Sequence, residues 1–171
     1  MPSSRTSRHA VLSLGLLLTS ACDGERADLV VALGSSAHVS PQYFHGNCFA
    51  GWSIAVDLVV RETKEVQVVL SAFDYRLVDQ GAGAEVGADF LDSSAIEARF
   101  GSMANVLPGR TSRTFTVGAV DESRPSGPLE VTGSLSGRDE NGNAVRASFA
   151  LESSLSVEDV PPPSDGACTP S

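Results

Sequence analysis

Large apolar residues recur at every second position through most of this chain. Over 52–60 they fall at Trp52, Ile54, Val56, Leu58 and Val60, with Ser53 and Asp57 among the residues between them. A period of two sends alternate side chains to opposite faces, so this spacing predicts a strand with one buried face. Val66, Val68 and Leu70 repeat the pattern, and then the parity flips to Phe73, Tyr75 and Leu77. One extra residue near Ser71 and Ala72 would produce that flip, so a bulge or bend is expected there. The same alternation predicts strands at Ile96–Phe100, Phe115–Ala119, Leu129–Leu135 and Val145–Leu151, and an apolar run at 28–33 predicts a first one. Beyond Cys22 no stretch keeps helical spacing over three turns.

Turn residues punctuate these runs. Asn141-Gly142, inside Asp139–Asn143, is the strongest hairpin signal, because this pair tolerates the positive φ angles of a tight reversal. Gln80–Gly83, Leu107–Gly109 and Pro125–Pro128 mark further turns. About seven strands, spaced by turns over ~110 residues, predict an all-β chain folded as a single antiparallel sandwich. Residues 34–47 read as a loop, and Pro161, Pro162 and Pro163 favour an extended tail.

The first residues have a different character. Residues 1–9 carry Arg5 and Arg8 and no acid, residues 10–18 are apolar, and small residues lead to Cys22. This is the layout of a secretory signal helix, and its apolar run is too short for a membrane span of ~20 residues. Leu18-Thr19-Ser20-Ala21-Cys22 resembles the lipobox of bacterial lipoproteins, with Thr19 where that pattern usually has Leu. The resemblance implies a diacylglyceryl group on Cys22, cleavage before it, and a place in the bacterial envelope on the periplasmic or cell-surface side. It divides the chain into a signal peptide (1–21), a lipidated tether (22–27), a sandwich domain (28–157) and a Pro-rich tail (158–171). Within the domain, Phe73-Asp74-Tyr75-Arg76-Leu77-Val78-Asp79, then Leu107-Pro108-Gly109 ahead of Phe115, resemble bacterial immunoglobulin-like domains over residues 50–156. That resemblance implies an immunoglobulin-like sandwich and no particular activity.

With Cys22 acylated, Cys48 and Cys168 remain as an even pair, and an oxidising compartment favours a disulfide between them. Such a bridge would close a loop of about 120 residues and stabilise the fold by roughly 4–5 kcal/mol. Two free thiols are the alternative.

Charge narrows the partners. The chain has 12 Lys+Arg against 21 Asp+Glu, and losing residues 1–21 removes Arg5 and Arg8 and no acid, moving the net charge from -9 to -11. A basic nucleic-acid footprint is excluded, and membrane contact is expected from acyl chains on Cys22 rather than from a polybasic patch.

Candidate chemistry is sparse. His38 and His45, with Ser35, Ser36 and Ser40 nearby, are the only histidines beyond the leader and could serve a hydrolase; solvated loop histidines are the plainer reading. His45 and Cys48, even with His38, fall short of a closed zinc site. Asp139–Asn143 clusters oxygen donors as calcium would need, and also as an ordinary turn would. Asp121-Glu122 and Glu158-Asp159 are adjacent on extended chain and so point to opposite faces. Tyr43 and Phe44, with Phe49 and Trp52 close behind, could form a rim that binds an envelope protein or glycan. The expectation is a non-catalytic binding or structural module without metal or cofactor. A hydrolase using His38 or His45, a sandwich-type protease inhibitor presenting 34–47, and a calcium-dependent adhesion module stand as alternatives.

Overall fold

A computed structural model of the chain describes residues 25–44 and 48–158, with the backbone alone at 44, 48 and 49. The leader, Cys22, His45, Cys168 and the prolines of the tail lie outside the described residues. Among the described residues ten strands and one helix follow in order: β1 (Leu29–Leu33), β2 (Ala37–Phe44), β3 (Cys48–Glu62), β4 (Val68–Asp79), β5 (Ala84–Asp92), α1 (Ser93–Phe100), β6 (Val106–Leu107), β7 (Ser112–Asp121), β8 (Leu129–Asp139), β9 (Ala144–Ser153) and β10 (Leu155–Val157).

The strands form two sheets. In the first, β3 is central, with β7 antiparallel along one edge. β1 and β2 share the other edge end to end, β1 against Leu58–Glu62 and β2 against Cys48–Ala55. β10 joins the outer side of β2 as the one parallel pairing among the described residues. In the second sheet the order is β5-β4-β8-β9, and β6 pairs with the start of β4. The inward residues of both sheets meet in one core: Ile54, Val56, Leu58 and Val60 from β3, Phe73, Tyr75 and Leu77 from β4, Phe115 and Val117 from β7, Leu129, Val131 and Leu135 from β8. The period-two reading of these segments therefore selects the buried face correctly. The architecture is an all-β sandwich of two largely antiparallel sheets.

Phe73 is the hub of the core. Its ring centroid lies 5.5 Å from Phe115, 5.8 Å from Tyr75, and 6.5 Å from both Phe100 and Phe149. The Tyr75 hydroxyl donates to the Gly118 carbonyl at 3.1 Å, tying β4 to β7 across the two sheets.

The expected irregularity near Ser71 is present: the β4–β8 register slips between Leu70 and Ala72. The 139–143 hairpin is also present, turned by one positive φ, 82° at Gly142. Three expectations need correction. Residues 96–100 are the end of a helix, not a strand. Asp92 caps it by accepting from Ala95 N, and Ile96 and Phe100, four apart, satisfy a helical period as well as a period of two. Residues 37–44 form β2 instead of a loop. Their ladder with β10 ends where Glu158 N donates to the Val39 carbonyl, and the next backbone group on that side belongs to Pro41, which has no N–H. Finally, β2, β5, β6 and β10 are gained while 96–100 is lost to the helix, so the strand total moves from about seven to ten among the described residues.

The sandwich has two distinct ends. The near end gathers residues 25–28, the β3–β4 turn and the β8–β9 hairpin; the far end gathers the end of β2, the start of β3, and the β4–β5 and β7–β8 connections.

Candidate functional site

Three buried carboxylates occupy the inward position where a strand runs out of core: Glu62 after Val60, Asp79 after Leu77, and Asp139 after Leu135 and Gly137. Each holds connections together through backbone amides. Glu62 accepts from Asp28 N at 3.2 Å, Lys64 N at 2.8 Å and Arg110 N at 2.9 Å. Asp79, at the far end, accepts from Gly81 N, Gly127 N and Ser126 N, all within 2.9 Å, and from the Ser126 hydroxyl at 3.1 Å. Asp139 accepts from Ala27 N at 3.3 Å, Asn141 N at 3.0 Å, Asn143 N at 2.8 Å and Asn143 Nδ2 at 3.0 Å.

Burial pushes the Asp79 carboxyl up, but the bonds from Ser126, Gly81 and Gly127 outweigh it, so its pKa lies below the ordinary value. Asp139 shows the same balance, with Asn143, Ala27 and Asn141 as the compensating donors. The calcium candidate at 139–143 is thus a turn whose one inward carboxylate is already committed to protein donors. Among the described residues no group of three or more His, Cys, Asp or Glu converges as metal ligands would.

His38 lies on β2 with its Nε2 3.2 Å from Glu158 Oε2, both side chains more than half exposed. A base beside an orienting carboxylate is two-thirds of a nucleophilic triad. The nearby Ser36 hydroxyl is paired elsewhere, 2.9 Å from Ser154 Oγ. Asp121 does not act with Glu122: it accepts from Ser123 N at 2.7 Å, closing its own turn.

Aromatics collect at the far end. Tyr43 is half-buried on β2, next to a register slip between Gln42 and Tyr43, and Gly51, opposite Gln42, adopts φ 138°. A Cβ at Gly51 would stand 2.6 Å from the Asp121 carbonyl, so this corner requires glycine. Trp52, expected in the core, is half-buried and packs against the core's rim, while the Arg124 guanidinium sits over its ring at 5.4 Å. Tyr43, Trp52 and Arg124 therefore belong to one end of the fold. The Phe44 and Cys48 side chains are not among those described.

The burial of these acids escaped the sequence pattern, although the signal was there: each continues the apolar parity of its strand by one step, at the strand's last residue. No helix among the described residues is long and apolar enough to cross a membrane.

No family model matches the chain, and no curated protein matches it. Among solved structures it is similar to a protein of Bordetella pertussis designated ApaA, at 14% identity and a TM-score of 0.48, covering 77% of this chain and 96% of that one. It is similar at 12% identity and a TM-score of 0.48 to the structural-genomics target SoR45, covering 75% and 85%. It is also similar to Spo0M, a sporulation control protein of Bacillus subtilis, at 15% identity and a TM-score of 0.33, covering 80% and 51%. At these values the assignment of a two-sheet sandwich rests on the strand pairing itself.

Proposed function

We propose that this chain is a bacterial envelope lipoprotein, held to the membrane by acyl chains on Cys22, whose immunoglobulin-like sandwich acts as a non-catalytic binding or structural module. The observation that carries this reading is how soon after Cys22 the fold begins. Glu25 O accepts from Asn141 Nδ2, Arg26 Nη2 donates to the Ala144 carbonyl, Ala27 N bonds Asp139 and Asp28 N bonds Glu62. Only Asp23 and Gly24 separate Cys22 from the first of these, a reach of about 11 Å. A lipid on Cys22 would hold the near end at the bilayer and turn the far end, with Tyr43, Trp52 and Arg124, toward an envelope protein or glycan.

Cys22→Ala, expressed in a bacterial host, should leave the membrane fraction or accumulate with its leader uncut. A variant that stays membrane-bound and is processed normally would overturn the anchor. The exposed His38–Glu158 pair is the observation that favours a hydrolase instead; loss of a hydrolytic activity in His38→Ala would establish that reading.

The expected Cys48–Cys168 bridge is compatible with the direction of β10. β10 runs parallel to β2, toward the end where β3 begins with Cys48. Ten residues from Glu158 to Cys168 span up to ~33 Å, against ~17 Å of strand from Val39 to Phe44. Alkylation of the denatured, unreduced protein should add no mass; uptake of two alkyl groups at these cysteines would show free thiols.

A further inference from the structure

An open groove of about 660 Å³ lies on the outer face of the second sheet at its near end. Three of the chain's eleven arginines, Arg26, Arg138 and Arg146, line it, together with Ser71, Ser93 and Ser136, and no acid is among its lining residues. In a chain of net charge -9 that local composition runs against the whole. The register explains how the arginines converge. Arg138 of β8 stands opposite Ala144 of β9, and Arg146 stands opposite Ser136. Arg138 and Arg146 therefore share the solvent face on neighbouring strands, while Val145 and Gly137 turn inward. Arg26 reaches the same place from the docked N-terminal segment, donating to the Ala144 carbonyl.

Arg26 and Arg138 are held without being used up. Arg138 Nη1 donates to the Gly142 carbonyl at 3.0 Å. One carbonyl contact each for Arg26 and Arg138 leaves most of the five donors of a guanidinium available. Ser93 Oγ accepts from Asn105 Nδ2 at 2.8 Å, so its own hydrogen is free to donate. Acids around it are engaged by protein donors: Asp139 faces inward on its amides, Asp92 accepts from Ser94 Oγ at 2.7 Å and Ala95 N at 2.8 Å, and Asp28, which shares an adjoining pocket with Arg26 and Arg146, accepts from Thr63 Oγ1 at 3.0 Å. Planar guanidinium forks with hydroxyl donors beside them match the several acceptor oxygens of a phosphate.

We propose that this groove binds the phosphate of an anionic ester, with Arg26, Arg138 and Arg146 as its clasp. Its position four residues past Cys22 makes a lipid headgroup one source of that phosphate and a dissolved phosphate ester the other. Phosphate binding stands on the groove alone; the lipid source rests on the anchored reading given above.

The test uses the full chain with 15N-labelled arginine. In neutral detergent, inorganic phosphate is titrated against chloride of equal ionic strength while the guanidinium Nε–H signals are followed by NMR. Arg138 and Arg146 should shift saturably, and Arg138→Gln with Arg146→Gln should weaken phosphate binding about tenfold or more, with the melting temperature unchanged. Without added phosphate, the same signals are compared in nanodiscs of phosphatidylcholine and of phosphatidylcholine with phosphatidylglycerol. A shift only with phosphatidylglycerol supports a lipid headgroup; saturation by phosphate with no shift in either disc supports a dissolved ester. A phosphate response at Arg138 and Arg146 that never saturates and matches that of exposed Arg76 overturns the site. Mass spectrometry reads the anchor separately: an unacylated Cys22 beside a saturable phosphate shift would sink the anchor and keep the groove.

Discussion

Phe73→Ala should destabilise the domain by about 4 kcal/mol, the range seen when a large aromatic is cut from a core that cannot collapse around the gap. Phe73 is fully buried and its ring meets Tyr75, Phe100, Phe115 and Phe149, drawn from both sheets and from α1. Its removal takes away the one side chain that touches all of these rings, and each loses a partner on one side. Urea unfolding followed by circular dichroism measures the loss. Phe90→Ala is the control, since Phe90 is 65% exposed on β5 and should change stability by no more than about 0.5 kcal/mol. A Phe73→Ala variant that loses less than about 1 kcal/mol would contradict the packing described here.

Asp79→Ala comes next in size, at about 3 kcal/mol. It removes the acceptor for three backbone amides and one hydroxyl in the far-end loops, and donors left partly buried without partners cost roughly 1–3 kcal/mol each before water reaches them. The same bonds set an acid limb. Because the folded pKa of Asp79 is depressed, its contribution is complete above its unfolded value of ~3.9 and is lost as pH falls through the folded value. Asp139 acts in the same sense. Stability attributable to these two groups should therefore be flat from neutral pH down to about pH 5 and decline below about pH 4. Asp79→Asn should be less stable than wild type at neutral pH and show a shallower acid decline. An acid limb of unchanged slope in that variant would remove Asp79 from the account.

The parts of this fold that were legible in the sequence are those where burial alone decides conformation. In β3, β4, β7, β8 and β9 large apolar residues alternate on the face turned to the core, so parity marks it. The rest depended on information that parity does not carry. Residues 96–100 offered only Ile96 and Phe100 as large apolar positions, and a separation of four serves both periods. The deciding residue was Asp92, which stands just before the first helical turn. β2 carries Pro41 and His38 and has few large apolar residues, so it looks like a loop; its structure comes from pairing with β3 and β10, both distant in sequence. For the sites, a list of residue types could name His38, Tyr43 and Trp52, but it could not pair His38 with Glu158 or lay Arg124 over Trp52. The near-end groove was hidden for the same reason. Total charge averages over the surface, whereas three arginines separated by up to 120 positions meet only through the β8–β9 register and the docked N-terminus.

The parallel seat of β10 has a consequence in time as well as in space. During synthesis, β2 is complete more than a hundred residues before Leu155–Val157 exists to cover its outer side. Until then the N–H and C=O groups of Ala37 and Val39 stand open, and an open strand side recruits other chains as readily as its own. The nascent polypeptide cannot finish its first sheet as it emerges, and must wait for β10. Partly made or C-terminally trimmed molecules, cut anywhere before Leu155, should therefore be the aggregating species of this protein, while the finished one stays dispersed.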